Sequence, residues 1–163
     1  MNSAPDSYIW ASLILLGPLA LVAVYTDLKT MLIKNWTNGA FAAIAFVLIL
    51  VFLGWQPLLY HLLFAVCLMI LLYFPAYFGQ LGGGDWKMFG GVALSLGFWS
   101  FAEYGLLLAA CTIIVLLLHR AIGAFVRPRD PEQTWKSFHK PRHFPFGVTI
   151  GLSYVLYVIY LLL

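Results

Sequence analysis

The chain has 163 residues, of which 63% are hydrophobic and 9% charged, with a formal net charge of +3 and a mean hydropathy of +0.94. A water-soluble domain carries roughly 45–50% apolar and about 25% charged residues. The composition therefore excludes a soluble fold and predicts one membrane-embedded domain over residues 1–163. No basic stripe interleaved with aromatics points to nucleic acid. Cys67 and Cys111 lie in apolar runs with no C-x-x-C spacing, so they read as small buried hydrophobes and not as a zinc or redox pair.

The segment Met1–Asp6 carries no Lys or Arg, so the first apolar run reads as a retained helix and not as a secretory signal peptide. A membrane helix needs about 20 apolar residues. The first such run is Tyr8–Thr26, with Gly17-Pro18 at its centre as a candidate kink, and a short polar link, Asp27–Asn35, follows. The second run is Gly39–Trp55 and the third Leu58–Phe78. After Gly82-Gly83-Gly84-Asp85 comes a short fourth run, Trp86–Phe101, and then a fifth, Tyr104–Val126, in which His119 and Arg120 mark the emergence from lipid. A polar loop, Arg127–His143, precedes the last run, Phe144–Leu163. The pattern predicts an all-α integral membrane protein, a bundle of six transmembrane helices.

Lys and Arg placement orients such a bundle, because basic residues collect in cytoplasmic connections. All nine (Lys29, Lys34, Lys87, Arg120, Arg127, Arg129, Lys136, Lys140 and Arg142) follow the first, third or fifth run. The second and fourth connections carry only Glu103 among ionisable side chains of either sign that matter to the rule. Both termini are therefore expected to be extracytoplasmic, in a multi-pass protein of the cell (inner) membrane. Asp27 and Asp85 then share the cytoplasmic level although they are distant in sequence.

Asp6, Glu103, Asp130 and Glu132 read as solvated charges. Asp27 and Asp85 each abut a helix end at hydrocarbon depth, where ionisable groups are expensive and usually face a polar interior or a site. Each also has a plainer reading: Asp27 as a boundary charge balanced by Lys29, Asp85 as the N-cap of the helix that follows. The glycine run favours a site. Three consecutive glycines are costly unless backbone bends or something approaches closely, and irregular backbone at this depth is tolerated where it lines a cavity or is buried in protein. A peptide lying along Gly82–Gly84 is one thing such a cavity could hold. Two carboxylates held together share a proton: one activates water, the other protonates the carbonyl oxygen of the bond under attack. His139 and His143 are separated by Pro141, which argues against a helical metal pair, and no metal or other cofactor is expected. His61 and His119 read as interfacial. Ser95 and Ser100 lack a His-plus-acid pattern, and Gly147 and Gly151 form a Gly-x-x-x-Gly pair suited to close helix packing.

These residues resemble a known family. Gly82-Gly83-Gly84-Asp85 is similar to the Gly-x-Gly-Asp signature of intramembrane aspartyl proteases, and its extension through Trp86-Lys87 resembles the Gly-x-Gly-Asp-x-Lys form of the type IV prepilin peptidases. Asp27 to Asn35 resembles the segment bearing that family's other aspartate, with Ile33-Lys34-Asn35 where Ile-Pro-Asn is usual. Pro145-Phe146-Gly147 looks like a Pro-Phe-Gly element near the family's last helix. The resemblance implies a membrane aspartic endopeptidase with Asp27 and Asp85 as its dyad. It would remove the short basic leader of type IV prepilins or pseudopilins at the cytoplasmic face, engaging the leader and the apolar helix behind it. Lys87 could place substrate or serve only as a cytoplasmic anchor. Asn35, Gln80 and the three glycines are candidate supporting residues. The chain lacks the paired C-x-x-C region of the larger bifunctional members, so it is similar to the small, peptidase-only forms of tight-adherence (Flp) pilus systems, and N-methyltransferase activity is not expected. An archaeal-type preflagellin peptidase and a homo-oligomer stay open.

The rival class is a proton-coupled transporter or channel using the same two acids. It would place them near the bilayer midplane within an internal repeat, whereas here both fall at one face and no repeat is visible.

Overall fold

A computed structural model describes residues 4–126, 129, 132, 134–139 and 144–163. Among these the chain is all-α, with no strand. The helices are α1 (Asp6–Thr30), α2 (Asn35–Phe52), α3 (Trp55–Tyr77), α4 (Gly83–Val126), α5 (Lys136–His139) and α6 (Phe146–Tyr160). The first four are long and apolar enough to cross a membrane, and α6 is a shorter apolar helix.

The helix boundaries follow from local chemistry. α1 runs unbroken through Pro18, so Gly17-Pro18 does not end it. It stops where Met31 turns left-handed (φ 58°) and its N–H bonds the Asp27 carbonyl at 2.8 Å. Asp27 thus belongs to the last turn of α1, and the polar link is shorter than the sequence suggests. α2 ends in a similar turn, with the N–H groups of Leu53 and Gly54 both on the Ile49 carbonyl (2.8 and 2.9 Å) and Gly54 at φ 93°. Gly can take that conformation without a Cβ clash.

The largest departure is in α4. The expected gap between Phe101 and Tyr104 is helical, so Glu103 sits inside a helix and not in a connection. The break falls earlier, at Gly97 (φ 68°, ψ 178°), which divides α4 into apolar segments at 83–96 and 98–126. With α1, α2, α3 and α6 this makes six apolar segments.

α6 packs against α1 and α4, and α4 also packs against α2 and α3. Small residues let α6 approach α1: an added Cβ at Gly151 would lie 2.6 Å from Val24 Cγ2 and 2.7 Å from the Ala20 carbonyl oxygen. The Gly147/Gly151 pair is therefore used for packing within this chain. α3 is the opposite case, burying only Leu58 and Ala65 and exposing a nearly continuous apolar surface, as expected of a helix whose outer face meets lipid. Cys67 lies on that surface, so it is exposed and only Cys111 is buried. His119 is buried too and stacks on Phe138 at a centroid distance of 4.6 Å. The loop Arg127–His143 lies largely outside the described residues; within it, α5 packs against α1 and α4.

Candidate active site at the junction of α1, α4 and α6

The site is built from three helix ends. α1 delivers Asp27 in its last turn, where the side chain is buried. α4 delivers Asp85 in its first turn. The N-cap position belongs to Gly82, whose carbonyl accepts the Trp86 N–H at 3.0 Å. Asp85 is therefore not the cap residue. It occupies the third helical position, from which its carboxylate reaches back to the Gly82 N–H, the geometry of the reciprocal half of a capping box.

α6 closes the junction. The Gly147 N–H faces the carboxylates of both Asp27 and Asp85, and the Val148 N–H faces Asp27 as well. The two acids are near enough to interact electrostatically, so helices remote in sequence bring them to one backbone group. Gly147 permits this: an added Cβ would lie 2.9 Å from Asp27 Oδ2, 3.1 Å from its Cγ and 2.5 Å from Ile33 Cδ1. Asp27 Oδ2 is itself buried with no hydrogen-bond partner. An unmade bond at a buried polar atom costs about 1–3 kcal/mol, so this arrangement is not one that stability alone selects.

The glycine run divides into three roles. An added Cβ at Gly82 would sit 2.6 Å from Asp85 Oδ2 and push the carboxylate aside. One at Gly84 would meet Ile33 at 3.1 Å from its Cβ and 3.3 Å from its backbone N and O. One at Gly83 would meet nothing within 4 Å. The first and third glycines are thus required by close approach and the middle one is not.

Ile33, whose burial follows from that contact, draws the α1–α2 connection against the start of α4. Two hydrogen bonds hold it there: Asn38 Nδ2 donates to the Gly84 carbonyl at 3.1 Å, and Lys87 Nζ donates to Asn35 Oδ1 at 2.8 Å. Trp86 anchors the same turn to α3 through Nε1–H to the Met69 carbonyl at 2.8 Å. Asn35 and Lys87 are thereby brought together at the site's exposed rim, whereas Gln80 is exposed in the α3–α4 connection.

Sequence reasoning missed three contributors: Ile33, Asn38 and the direct contact of Gly147 with an aspartate. Asn38 follows Asn35 by one helical turn on α2, a same-face spacing that could have flagged it. Among the described residues no group of three or more His, Cys, Asp or Glu could hold a metal.

No curated protein and no solved structure matches the chain. The model of the type IV leader peptidase family matches residues 14–125. That stretch covers more than half of the chain and carries Asp27, the Asn35–Asn38 turn, the glycine run, Asp85 and Lys87. The chain belongs to the type IV leader peptidase family.

Proposed function

We propose that this chain is a membrane aspartic endopeptidase that removes the short basic leader from type IV, Flp-type prepilins or pseudopilins. The reading rests on one observation above all: Asp27 and Asp85 meet at the Gly147 N–H although nothing in their local sequence requires it. Family membership supports a peptidase, and the dyad supplies the chemistry.

Two carboxyls near enough to interact hold one proton between them more readily than none. The ionised member takes a proton from water as the water oxygen attacks the scissile carbonyl carbon. The protonated member gives its proton to the carbonyl oxygen. In the second half-reaction the first carboxyl, now protonated, gives that proton to the leaving nitrogen as the C–N bond breaks, while the second, now ionised, takes back a hydroxyl proton of the tetrahedral intermediate, so that the pair again holds one proton. The Gly147 N–H, aimed at both acids, holds them in register. Gly82 and Gly84 let Asp85 and Ile33 pack against the start of α4, an extended peptide lies along this backbone beside Asp85, and Lys87 with Asn35 forms the rim that the leader passes.

In this reading the whole chain is one peptidase domain, a six-span bundle in the inner membrane with both termini extracytoplasmic and the dyad at the cytoplasmic face. Its partners are the prepilin's leader and following apolar helix, and membrane lipid. Its chemistry is peptidase-only, without N-methylation.

The test is co-expression with a candidate Flp-type prepilin, followed by mass spectrometry of the pilin N-terminus. Loss of the leader, an unmethylated new terminus and no processing by Asp27→Asn or Asp85→Asn is the expected result. Processing that survives either substitution in a normally inserted protein would remove that aspartate from the mechanism.

A further inference from the structure

One short stretch of chain spans the candidate site. Asp27 lies in the last turn of α1, and the residues that follow, Ile33 through Asn38, return to the first turn of α4, where Asp85 sits. How this stretch grips the Gly84–Asp85 peptide therefore helps to set where Asp85 stands relative to Asp27.

Two contacts make the grip. Gly84 rests on Ile33, so closely that an added Cβ would lie 3.1 Å from the Ile33 Cβ and 3.3 Å from its backbone N and O. Asn38 Nδ2 donates to the Gly84 carbonyl at 3.1 Å. The first contact limits how near the two backbones come, and the second fixes a direction. A peptide unit is planar, so a hold on the Gly84 carbonyl oxygen also orients the amide nitrogen of Asp85.

Stability does not account for the second contact. Gly84 is the second residue of α4, and a carbonyl there already faces the helix's own donor four residues on. It would not be orphaned without Asn38. Asn38 itself is only 6% exposed, and its Oδ1 is buried with no hydrogen-bond partner. A buried acceptor left unmade costs at least as much as one neutral hydrogen bond returns, and an apolar side chain of similar size would avoid that cost. Lys87 and Asn35 tie the same two elements together, but through an exposed bond where water competes for both partners. The buried carboxamide is the firmer tie.

We propose that Asn38 is a positioning residue: through the Gly84 carbonyl it holds Asp85 at the place relative to Asp27 that leader cleavage requires. This role presupposes the peptidase reading and adds to it a residue that acts through backbone and transfers no proton itself. Misplacing a reacting group by about 1 Å costs on the order of 10²-fold in rate. The loss should fall on kcat, with the substrate's own contacts, and so KM, unchanged.

The test uses the purified full-length protein in detergent with an Flp-type prepilin as substrate, and measures kcat and KM per folded molecule together with the unfolding midpoint. Asn38→Leu removes the donor and the unpaired acceptor while filling the space. Asn38→Ala removes the same groups and leaves a cavity. Both should lower kcat by about 10- to 100-fold and to a similar extent, with KM within about twofold, although the Ala variant should unfold at the lower temperature. Thr37→Val removes a neighbouring fully buried hydroxyl that has no hydrogen-bond partner, and should leave kcat and KM within about twofold. If either Asn38 variant does not insert, the other decides alone. A residue that serves only the fold would make activity follow stability, with Leu near the unaltered protein and Ala below it. That pattern, an unchanged kcat in a folded Asn38 variant, a loss confined to KM, or an equal loss in Thr37→Val would overturn the proposal while leaving the peptidase reading intact. An unaltered protein that removes no leader would overturn both.

Discussion

At the scale of single residues, three glycines set the surroundings of the two aspartates: Gly82 against Asp85, Gly147 against Asp27 and Gly84 against Ile33. A positioned acid or base contributes about 10²–10⁴ in rate, so Asp27→Asn and Asp85→Asn should each lower leader cleavage about 10³-fold or more at unchanged protein level, read by the ratio of processed to unprocessed pilin. The glycines make a sharper test, because their predicted effects differ within one run. Gly83→Ala, with open space at its Cβ, should retain cleavage within about twofold, since an exposed Gly-to-Ala change at a helix start perturbs little. Gly84→Ala and Gly147→Ala, whose Cβ atoms would strike Ile33 and Asp27, should each reduce it at least about tenfold by moving a carboxyl out of place. Equal effects at Gly83 and Gly84 would mean that the run acts only through flexibility. The shared proton gives a further expectation. Cleavage should follow a bell-shaped pH profile, failing at low pH when both carboxyls are protonated and no base remains, and at high pH when both are ionised and no acid remains. Replacing either aspartate with asparagine should abolish the activity and leave no residual bell. The Gly-x-Gly-Asp run and the place of Asp27 at the end of an apolar segment singled out these two acids in the sequence, and the structure brings them near enough to interact. The helical position of Asp85 was not legible in the sequence. An aspartate next to glycines reads as a cap, and which residue becomes the cap depends on where the preceding turn places Gly82.

At the scale of elements, α4 carries the main difference between expectation and structure. Hydropathy located a break near Glu103, where a charge interrupts the apolar pattern. The chain instead breaks at Gly97, the one position inside α4 with non-helical backbone, where a residue without a Cβ also packs against His61. An added Cβ would lie 2.6 Å from His61 Nε2, at a φ of +68° that L-residues rarely adopt. Glu103 remains helical and accepts the Tyr157 hydroxyl at 2.9 Å. Gly97→Ala should therefore destabilise the protein by at least about 1–2 kcal/mol, the cost of left-handed backbone for an L-residue, measured as a lower unfolding midpoint in detergent. Glu103→Gln, which keeps an acceptor on an exposed side chain, should be close to neutral. The α1–α2 connection and the first turn of α2 join the two halves of the candidate site, through Ile33, Asn35 and Asn38. Their hydrogen bonds to Gly84 and Lys87 depend on a register between α2 and α4 that no local pattern encodes.

At the scale of the molecule, the proposed topology makes its own prediction. A reporter fused after Leu163 should be active only outside the cytoplasm, and one inserted after Lys34 only inside it; the reverse pattern would invert the bundle and move the dyad to the other face. Composition, run lengths and the one-sided distribution of Lys and Arg were enough, by themselves, to determine an all-α membrane protein, its count of apolar segments and the two acids most costly to bury. These are properties of transfer from water to hydrocarbon, which act residue by residue and survive without knowledge of neighbours. What only the tertiary structure decided was contact: that α6 presents the Gly147 N–H to both Asp27 and Asp85, that Gly84 rests on Ile33, and that α4 breaks at Gly97 against His61. In a medium where every exposed surface is already apolar, hydrophobicity does not say which helices meet. Close packing at small residues and the pairing of buried polar groups decide that, and both depend on the final arrangement of helices far apart in the chain.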